Sequence, residues 1–257
     1  MGKTLMAAIQ ETDLVSLGAA IERPGFSLIG SDAGDVAGVG KLDVEVVDNL
    51  ESVVRDFDVL VDFTIAEATV SNLGICRAAG KKMVIGTTGL TAEQIRLLDD
   101  CASDTAIVFA PNMSVGVNVT FKLLEIAAGI LGNDVDIEII EAHHRNKIDA
   151  PSGTALGMGE VIAAALDRNL ADVAVYGHQG NSGVRDSKSI GFEVIRGGDI
   201  VGEHTVMFAG AGERIEISHK AHSRMNFAQG ALRAADWLSD KHTGRFDMQD
   251  VLGLKHK

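Results

Sequence analysis

The feature that most limits the fold is a rhythm in the first half of the chain. Three short apolar runs, at 58–63 (Asp-Val-Leu-Val-Asp-Phe), 82–85 (Lys-Met-Val-Ile) and 106–110 (Ala-Ile-Val-Phe-Ala), are separated by segments with helical spacing. Runs of this length are strand-sized. Short buried strands alternating with amphipathic helices predict βαβ units and therefore a parallel sheet. The first intervening helix is expected over 66–79. The second opens at Thr91, whose Gln94 three residues on completes a capping box. In such sheets ligands bind beyond the carboxyl ends of the strands. The loops Gly86-Thr87-Thr88-Gly89 and Ala110-Pro111-Asn112-Met113 therefore fall where a ligand would lie.

The flanking sequence extends this pattern and then changes it. Leu5, Met6, Ile9 and Leu14 have helical spacing from the start of the chain. A strand is predicted over 16–21, ending at Glu22-Arg23-Pro24-Gly25, and a shorter one over 44–47, with a Gly-rich polar stretch between them. Beyond residue 115 a longer helix is expected over 115–131. Strict alternation over 135–139 (Val-Asp-Ile-Glu-Ile) then predicts a strand with one covered face. Ser152 is a good N-cap for the next helix. Strands at 190–196 and 200–208 flank Gly197-Gly198, a hairpin signal, and a further strand is read at 214–219. A last helix over 226–238 carries Phe227, Ala231, Leu232, Ala235 and Leu238 on one face. The second region is thus expected to hold a mixed or antiparallel sheet.

Composition removes several function classes. Acidic residues number 36 against 23 basic ones, a formal charge of −13. A chain this acidic is ill suited to a nucleic-acid phosphate backbone. With nine Phe, one Tyr and one Trp it lacks the aromatic platforms that hold single strands. No apolar run approaches the ~18 residues of a membrane span. The start, Met-Gly-Lys-Thr-Leu-Met, does not resemble a signal peptide, so a cytoplasmic location is expected. Cys76 and Cys101, set among apolar residues, are expected to be reduced core thiols.

The stretch 141–155, Glu-Ala-His-His-Arg-Asn-Lys-Ile-Asp-Ala-Pro-Ser-Gly-Thr-Ala, reverses the global charge locally. It follows a predicted strand and ends at a predicted helix start. Unpaired amides of Ser152, Gly153 and Thr154 at that helix start suit a carboxylate. Lys147 can clamp an anion or donate a proton, and the histidines titrate near neutral pH. The alternative is a solvated basic turn that merely offsets Glu138 and Glu141. A zinc site at His143 and His144 is disfavoured, because adjacent strand residues point to opposite faces. Glu22-Arg23 closes the strand before it in the manner of a ribose-binding acid beside a phosphate-binding Arg, although the dipeptide is also common on surfaces.

The stretch 141–155 closely resembles the signature of the dihydrodipicolinate reductase family. Gly-Ser-Asp-Ala-Gly at 30–34, Val-Asp-Phe-Thr at 61–64, Val-Ile-Gly-Thr-Thr-Gly at 84–89, Ser-Val-Gly-Val-Asn at 114–118 and Phe-Asp-Met-Gln-Asp-Val-Leu at 246–252 share that resemblance. It implies an α/β fold with a Rossmann-like dinucleotide-binding domain over 1–114 and 225–257. The second domain, over 115–224, would be an α+β substrate-binding and oligomerisation domain with a mixed sheet. It implies His143 as acid/base and Lys147 as proton donor. His144, Ser152, Gly153, Thr154 and Thr88 would bind a cyclic dicarboxylate. Met1, Glu22, Arg23, Gly86, Thr87, Thr88, Ala110, Pro111, Asn112 and Met113 would bind NADPH or NADH, Met113 standing where the family often has Phe. A homotetramer with no metal is also implied. The family opens with a strand and a Gly-x-x-Gly-Arg-Met-Gly loop, of which Met1-Gly2 matches only the end. The expectation is a sheet with two unpaired strand edges, from either a start placed at a methionine within that loop or a genuinely truncated form. Two other functions are weighed against the reductase. One is a cofactor-incompetent scaffold or dicarboxylate binder; the other is a related dehydrogenase acting on an amino-acid-like substrate.

Overall fold

A computed structural model describes residues 1–255. In chain order the first part holds α1 (Gly2–Gln10), β1 (Ala20–Ile21), α2 (Ala33–Ala37), β2 (Val46–Val47), β3 (Val59–Asp62), α3 (Ala66–Ala78), β4 (Lys82–Ile85), α4 (Ala92–Ala102) and β5 (Ala106–Phe109). The middle holds α5 (Val115–Leu131), β6 (Asp136–His143), α6 (Gly153–Ala165), α7 (Leu170–Val173), β7 (Ala174–Tyr176), β8 (Ile190–Arg196), β9 (Gly202–Ala209) and β10 (Arg214–Ala221). The chain closes with α8 (Met225–Trp237), β11 (Gly244–Phe246) and α9 (Met248–Val251). Two compact units result: Met1–Val115 together with the chain from Arg224 onward, and Gly116–Ser223.

In the first unit β11, β5, β4 and β3 form a parallel sheet in that order, and β1 pairs with β2 in a separate parallel ribbon. The apolar runs become β3, β4 and β5; in the central β4 and β5, Met83, Val84, Ile85, Ile107 and Val108 are all fully buried, covered on both faces, whereas Val59, Leu60 and Val61 of β3 at the sheet edge are only half-buried. One core packs Leu5 and Ala8 of α1 and Ala231 and Leu232 of α8 with Val84 and Val108; the other packs Leu73, Cys76, Leu98 and Cys101 with Met83 and Ile107. Both cysteines are free and buried, and burial pushes the Cys76 thiol up to about 12. The Thr91–Gln94 capping box is present, with reciprocal bonds of 2.8 and 3.3 Å. Among the described residues β1 and β3 each pair on one side only. The strand predicted over 16–21 shortens to its last two residues.

β3, β4 and β5 end level with one another, at Asp62, Ile85 and Phe109, so their following loops share one edge of the sheet. Asp62, 2% exposed, organises that edge. Its carboxylate accepts from the Thr64 amide (2.9 Å), the Thr64 hydroxyl (2.6 Å), Asn72 Nδ2 (3.0 Å) and the Thr87 hydroxyl (3.2 Å). Gly86 lies against Phe63, whose ring would be 2.3 Å from a Cβ placed there.

The second unit is a five-stranded mixed sheet in the order β10-β9-β6-β8-β7, with α5 and α6 on one face. Leu124 and Ala128 of α5 and Met158 and Ile162 of α6 pack on Ile137, Ile139, Phe192 and Val206. The hairpin expected at Gly197-Gly198 does not form. β6 lies between β8 and β9, pairing parallel with the first and antiparallel with the second. The end of β6 fills the space between them: Gly197 donates to the His143 carbonyl (3.0 Å), and Arg145 donates to the Gly198 carbonyl (3.3 Å). The hairpin is one connection later, between β9 and β10, where Gly210 donates to Glu213 (2.9 Å) and Gly212 takes φ +90°.

Replacing Asp62 by Ala removes the shared acceptor of the Thr64 amide and hydroxyl, the Thr87 hydroxyl and the Asn72 carboxamide. Asp62→Ala is expected to lower unfolding stability by about 2–3 kcal/mol, read as a drop in the urea midpoint at unchanged slope.

Candidate active site

The alternation that opens β6 continues to its end, so Ile137, Ile139, Glu141 and His143 all lie on the buried side of the sheet. The first two join the core beneath α5 and α6, and the last two are polar. Glu141 is 1% exposed. Arg196 at the end of β8 forks onto both of its oxygens at 2.8 Å. The Ser152 amide donates to Oε1 at 3.0 Å, and His143 Nδ1 meets Oε2 at 2.6 Å. Burial alone raises the Glu141 carboxyl. The Arg196, His143 and Ser152 bonds outweigh it and hold the group below the ordinary carboxylate value.

His143 is 8% exposed. Burial lowers its pKa, Glu141 opposes that, and Lys147 and Arg196 reinforce it, so the ring stays neutral near pH 7. An ionised carboxylate only accepts, so Nδ1 carries the hydrogen and Nε2 has the free lone pair. The ring rests on Gly202 of β9, where a Cβ would lie 3.0 Å from Nε2. His204, one strand over, meets the His143 ring edge-on, centroids 5.1 Å apart. Its Nε2 is 3.0 Å from the Ser152 hydroxyl, which also accepts from the Ala155 amide at 3.1 Å. Burial pushes His204 down to about 4. Ser152 is thus the N-cap that the sequence predicts, and it also links Glu141 to His204.

The turn after β6 carries Lys147, whose Nζ pairs with Asp149 at 2.9 Å. Arg196 reaches the same turn through the Asp149 carbonyl at 2.6 Å. His144 lies next to His143 but on the other side of the strand, half-buried. Gly153 is exposed, with nothing within 4 Å of where a Cβ would stand, so a ligand can approach the first amides of α6. His143, Lys147, Ser152, Gly153 and Thr154 therefore gather within the second unit, around Glu141.

The residues proposed from sequence for a dinucleotide lie in the first unit. Gly86–Thr88 and Ala110–Met113 leave the carboxyl ends of β4 and β5 side by side. Thr88 and Pro111 are exposed, Asn112 is half-buried and caps the Ser114 amide at 2.9 Å. Thr87 is buried on Asp62, Ala110 is 3% exposed, and Met113 is a core residue at 1%. Those three can meet a ligand through backbone rather than side chain. Glu22 and Arg23 directly follow β1, with the Arg23 amide on Glu22 Oε1 at 2.8 Å. Met1 caps α1, its carbonyl accepting from Leu5 at 2.9 Å. Among the described residues, Glu138, His178 and Glu193 bring potential metal ligands within 4.8 Å of one another. A cation already serves that cluster, since Arg185 donates to Glu138 at 2.9 Å.

Three residues of the site escaped the sequence. Glu141 had a local signal, a charge on the covered side of an alternating strand. Arg196 and His204 had none, because each reaches the site only through strand pairing more than fifty residues along the chain.

A parallel sheet with strand-end loops, joined in one chain to a mixed-sheet unit, is the architecture of two-domain dehydrogenases. The chain superposes on a probable dehydrogenase from Thermotoga maritima with a TM-score of 0.60 at 11% identity, covering 98% of this chain and 89% of that one. It superposes on a dipicolinate-bound dihydrodipicolinate reductase from Paenisporosarcina sp. TG-14 with a TM-score of 0.73 at 22% identity, covering 97% and 94%. At these identities the likeness establishes the fold alone. Sequence goes further. The family models for the N-terminus and C-terminus of dihydrodipicolinate reductase match residues 1–113 and 116–252. Proteins named 4-hydroxy-tetrahydrodipicolinate reductase are 60% identical in Pseudomonas fluorescens (strain Pf-5) and 58% identical in Acinetobacter baumannii. Each match covers 99% of this chain, and 96% and 93% of those proteins respectively. The chain belongs to the dihydrodipicolinate reductase family.

His204 carries a pH signature. Its folded value, about 4, lies below the ordinary 6.5, so the unfolded chain binds its proton first and stability falls as pH drops between those values. The loss is expected to reach about 3 kcal/mol by pH 4. Urea unfolding at stepped pH should show it, and His204→Gln should flatten the curve over that window.

Proposed function

We propose that this chain reduces 4-hydroxy-tetrahydrodipicolinate to tetrahydrodipicolinate with NADPH or NADH, a step of the diaminopimelate route to lysine. Membership of the family supports the reaction class. The observation that carries the residue roles is the cluster in which a buried, carboxylate-bound His143 stands beside the start of α6 and the Lys147 turn. A cyclic dicarboxylate is an anion, and this cluster is where an otherwise acidic chain concentrates positive charge. The amides of Gly153 and Thr154 bind one carboxylate at the helix start, with Ser152 fixing that start and His144 as a further substrate contact.

A bound reduced nicotinamide supplies the hydride. Glu22 suits the adenine-ribose hydroxyls and Arg23 a 2′-phosphate, so the pair serves either cofactor form. Gly86, Thr87, Thr88, Ala110, Pro111, Asn112 and Met113 would line the nicotinamide, and the start of α1 at Met1 would hold the phosphates. Hydride addition leaves electron density on the ring that an acid must quench. Lys147 is the proton donor, and His143, neutral with its Nε2 unblocked by Glu141, accepts or relays a proton. We assign the oligomer as a homotetramer built on the sheet face opposite α5 and α6, where Ile140, Ala142 and Met207 are only half-buried and Ile195 is exposed. The setting is the cytoplasm; no helix among the described residues is long and apolar enough to cross a membrane.

Steady-state assays that follow loss of the reduced nicotinamide test this reading. His143→Ala and Lys147→Ala are each expected to cut kcat by on the order of 10²–10⁴, leaving nucleotide binding unchanged. Normal turnover in the double variant would remove the assigned roles. Failure of the parent chain to bind either nucleotide would instead favour a dicarboxylate-binding scaffold.

A further inference from the structure

We infer that Glu141 is the positioning residue of the site, a single brace that fixes the His143 ring, the start of α6 and the Lys147 turn together; the inference rests on the reductase reading for its kinetic arm. Each of the three is held by a separate bond. Oε2 takes His143 Nδ1 at 2.6 Å, which sets the tautomer and turns Nε2 away from the carboxylate. The bare backbone of Gly202 then admits the ring in that pose. Oε1 takes the Ser152 amide at 3.0 Å, and so anchors the residue immediately before the Gly153 and Thr154 amides. Arg196 grips both oxygens and carries the constraint to the turn, through the Asp149 carbonyl at 2.6 Å and from Asp149 to Lys147.

Stability alone does not account for this arrangement. The neighbouring inward positions of β6 are Ile137 and Ile139, and an apolar residue at 141 would continue that core without a buried ion pair. A buried pair is weak evidence for stability, and in some proteins it serves to fix conformation instead. The charged and titratable groups about His143 are Glu141 on its own strand, Arg196 on β8, His204 on β9, and Lys147 and Asp149 in the turn, with His219 on β10 acting on His204.

The test is Glu141→Gln in the full chain, which keeps shape and removes charge. Nitrogen-15 NMR of the His143 ring in the absence of ligand should show one Nδ1–H tautomer in the parent. In the variant it should show a mixed population and a titration midpoint moved to lower pH. A kcat loss on the order of 10²-fold is expected. Affinity for dipicolinate, used as the binding probe, should weaken by only about 2- to 10-fold, the worth of one lost hydrogen bond. An unchanged tautomer with kcat within about twofold of the parent overturns the proposal and leaves Glu141 a folding residue. Should Glu141→Gln fail to fold, Arg196→Lys decides. It keeps the carboxylate on His143 but loses the fork that carries the constraint to the Lys147 turn, so the proposal requires kcat to fall while the ring keeps its Nδ1–H tautomer, and a parent-like kcat overturns it. A parent chain without reductase activity would remove the proposed function, while the tautomer and dipicolinate measurements would still decide the role of Glu141.

Discussion

The second unit is organised around one buried carboxylate. Glu141 sits where an alternating strand would otherwise continue a hydrocarbon core, and a lone charge there would be expelled or neutralised. It stays ionised because a guanidinium fork, a backbone amide and an imidazole surround it. Each partner comes from a different segment, so satisfying the charge fixes where β6, β8 and α6 meet. The polar requirement and the architectural one are the same requirement.

The first unit solves a similar problem in a smaller way. Asp62 at the end of β3 is buried and gathers Thr64, Asn72 and Thr87, tying the loops that leave the carboxyl edge of the parallel sheet. In both units a carboxylate near a strand terminus makes adjoining irregular backbone rigid. Loops that carry function need such anchoring, because their own backbone groups have no ladder to satisfy them. The difference lies in chemistry. Asp62 is surrounded by neutral donors, whereas Glu141 is coupled to a titrating ring and a guanidinium, so its surroundings reach the proton inventory of the site.

Much of this was legible in the chain. The runs that became β3, β4 and β5 were apolar and strand-sized, and the capping residues Thr91 and Ser152 mark helix starts within a few residues of themselves. The resemblance carried by 141–155 supplied the family and the roles proposed for His143 and Lys147. What misled was Gly197-Gly198. It is a turn signal, but a turn signal says only that the chain bends; it does not say which strand fills the space beside it. Arg196 and His204 looked like ordinary residues of β8 and β9, and Met113 looked like a loop residue although its side chain is core.

The sequence by itself determined the local pattern: which segments are strands and helices, where helices begin, and where an acidic chain turns basic. Those properties depend on residues a few positions apart. Tertiary structure alone decided that β6 lies between β8 and β9, and so delivered Arg196 and His204 to Glu141 and Ser152. Strand order is set by burial of whole sheet faces and by hydrogen bonds between distant segments, and no short stretch of sequence encodes either.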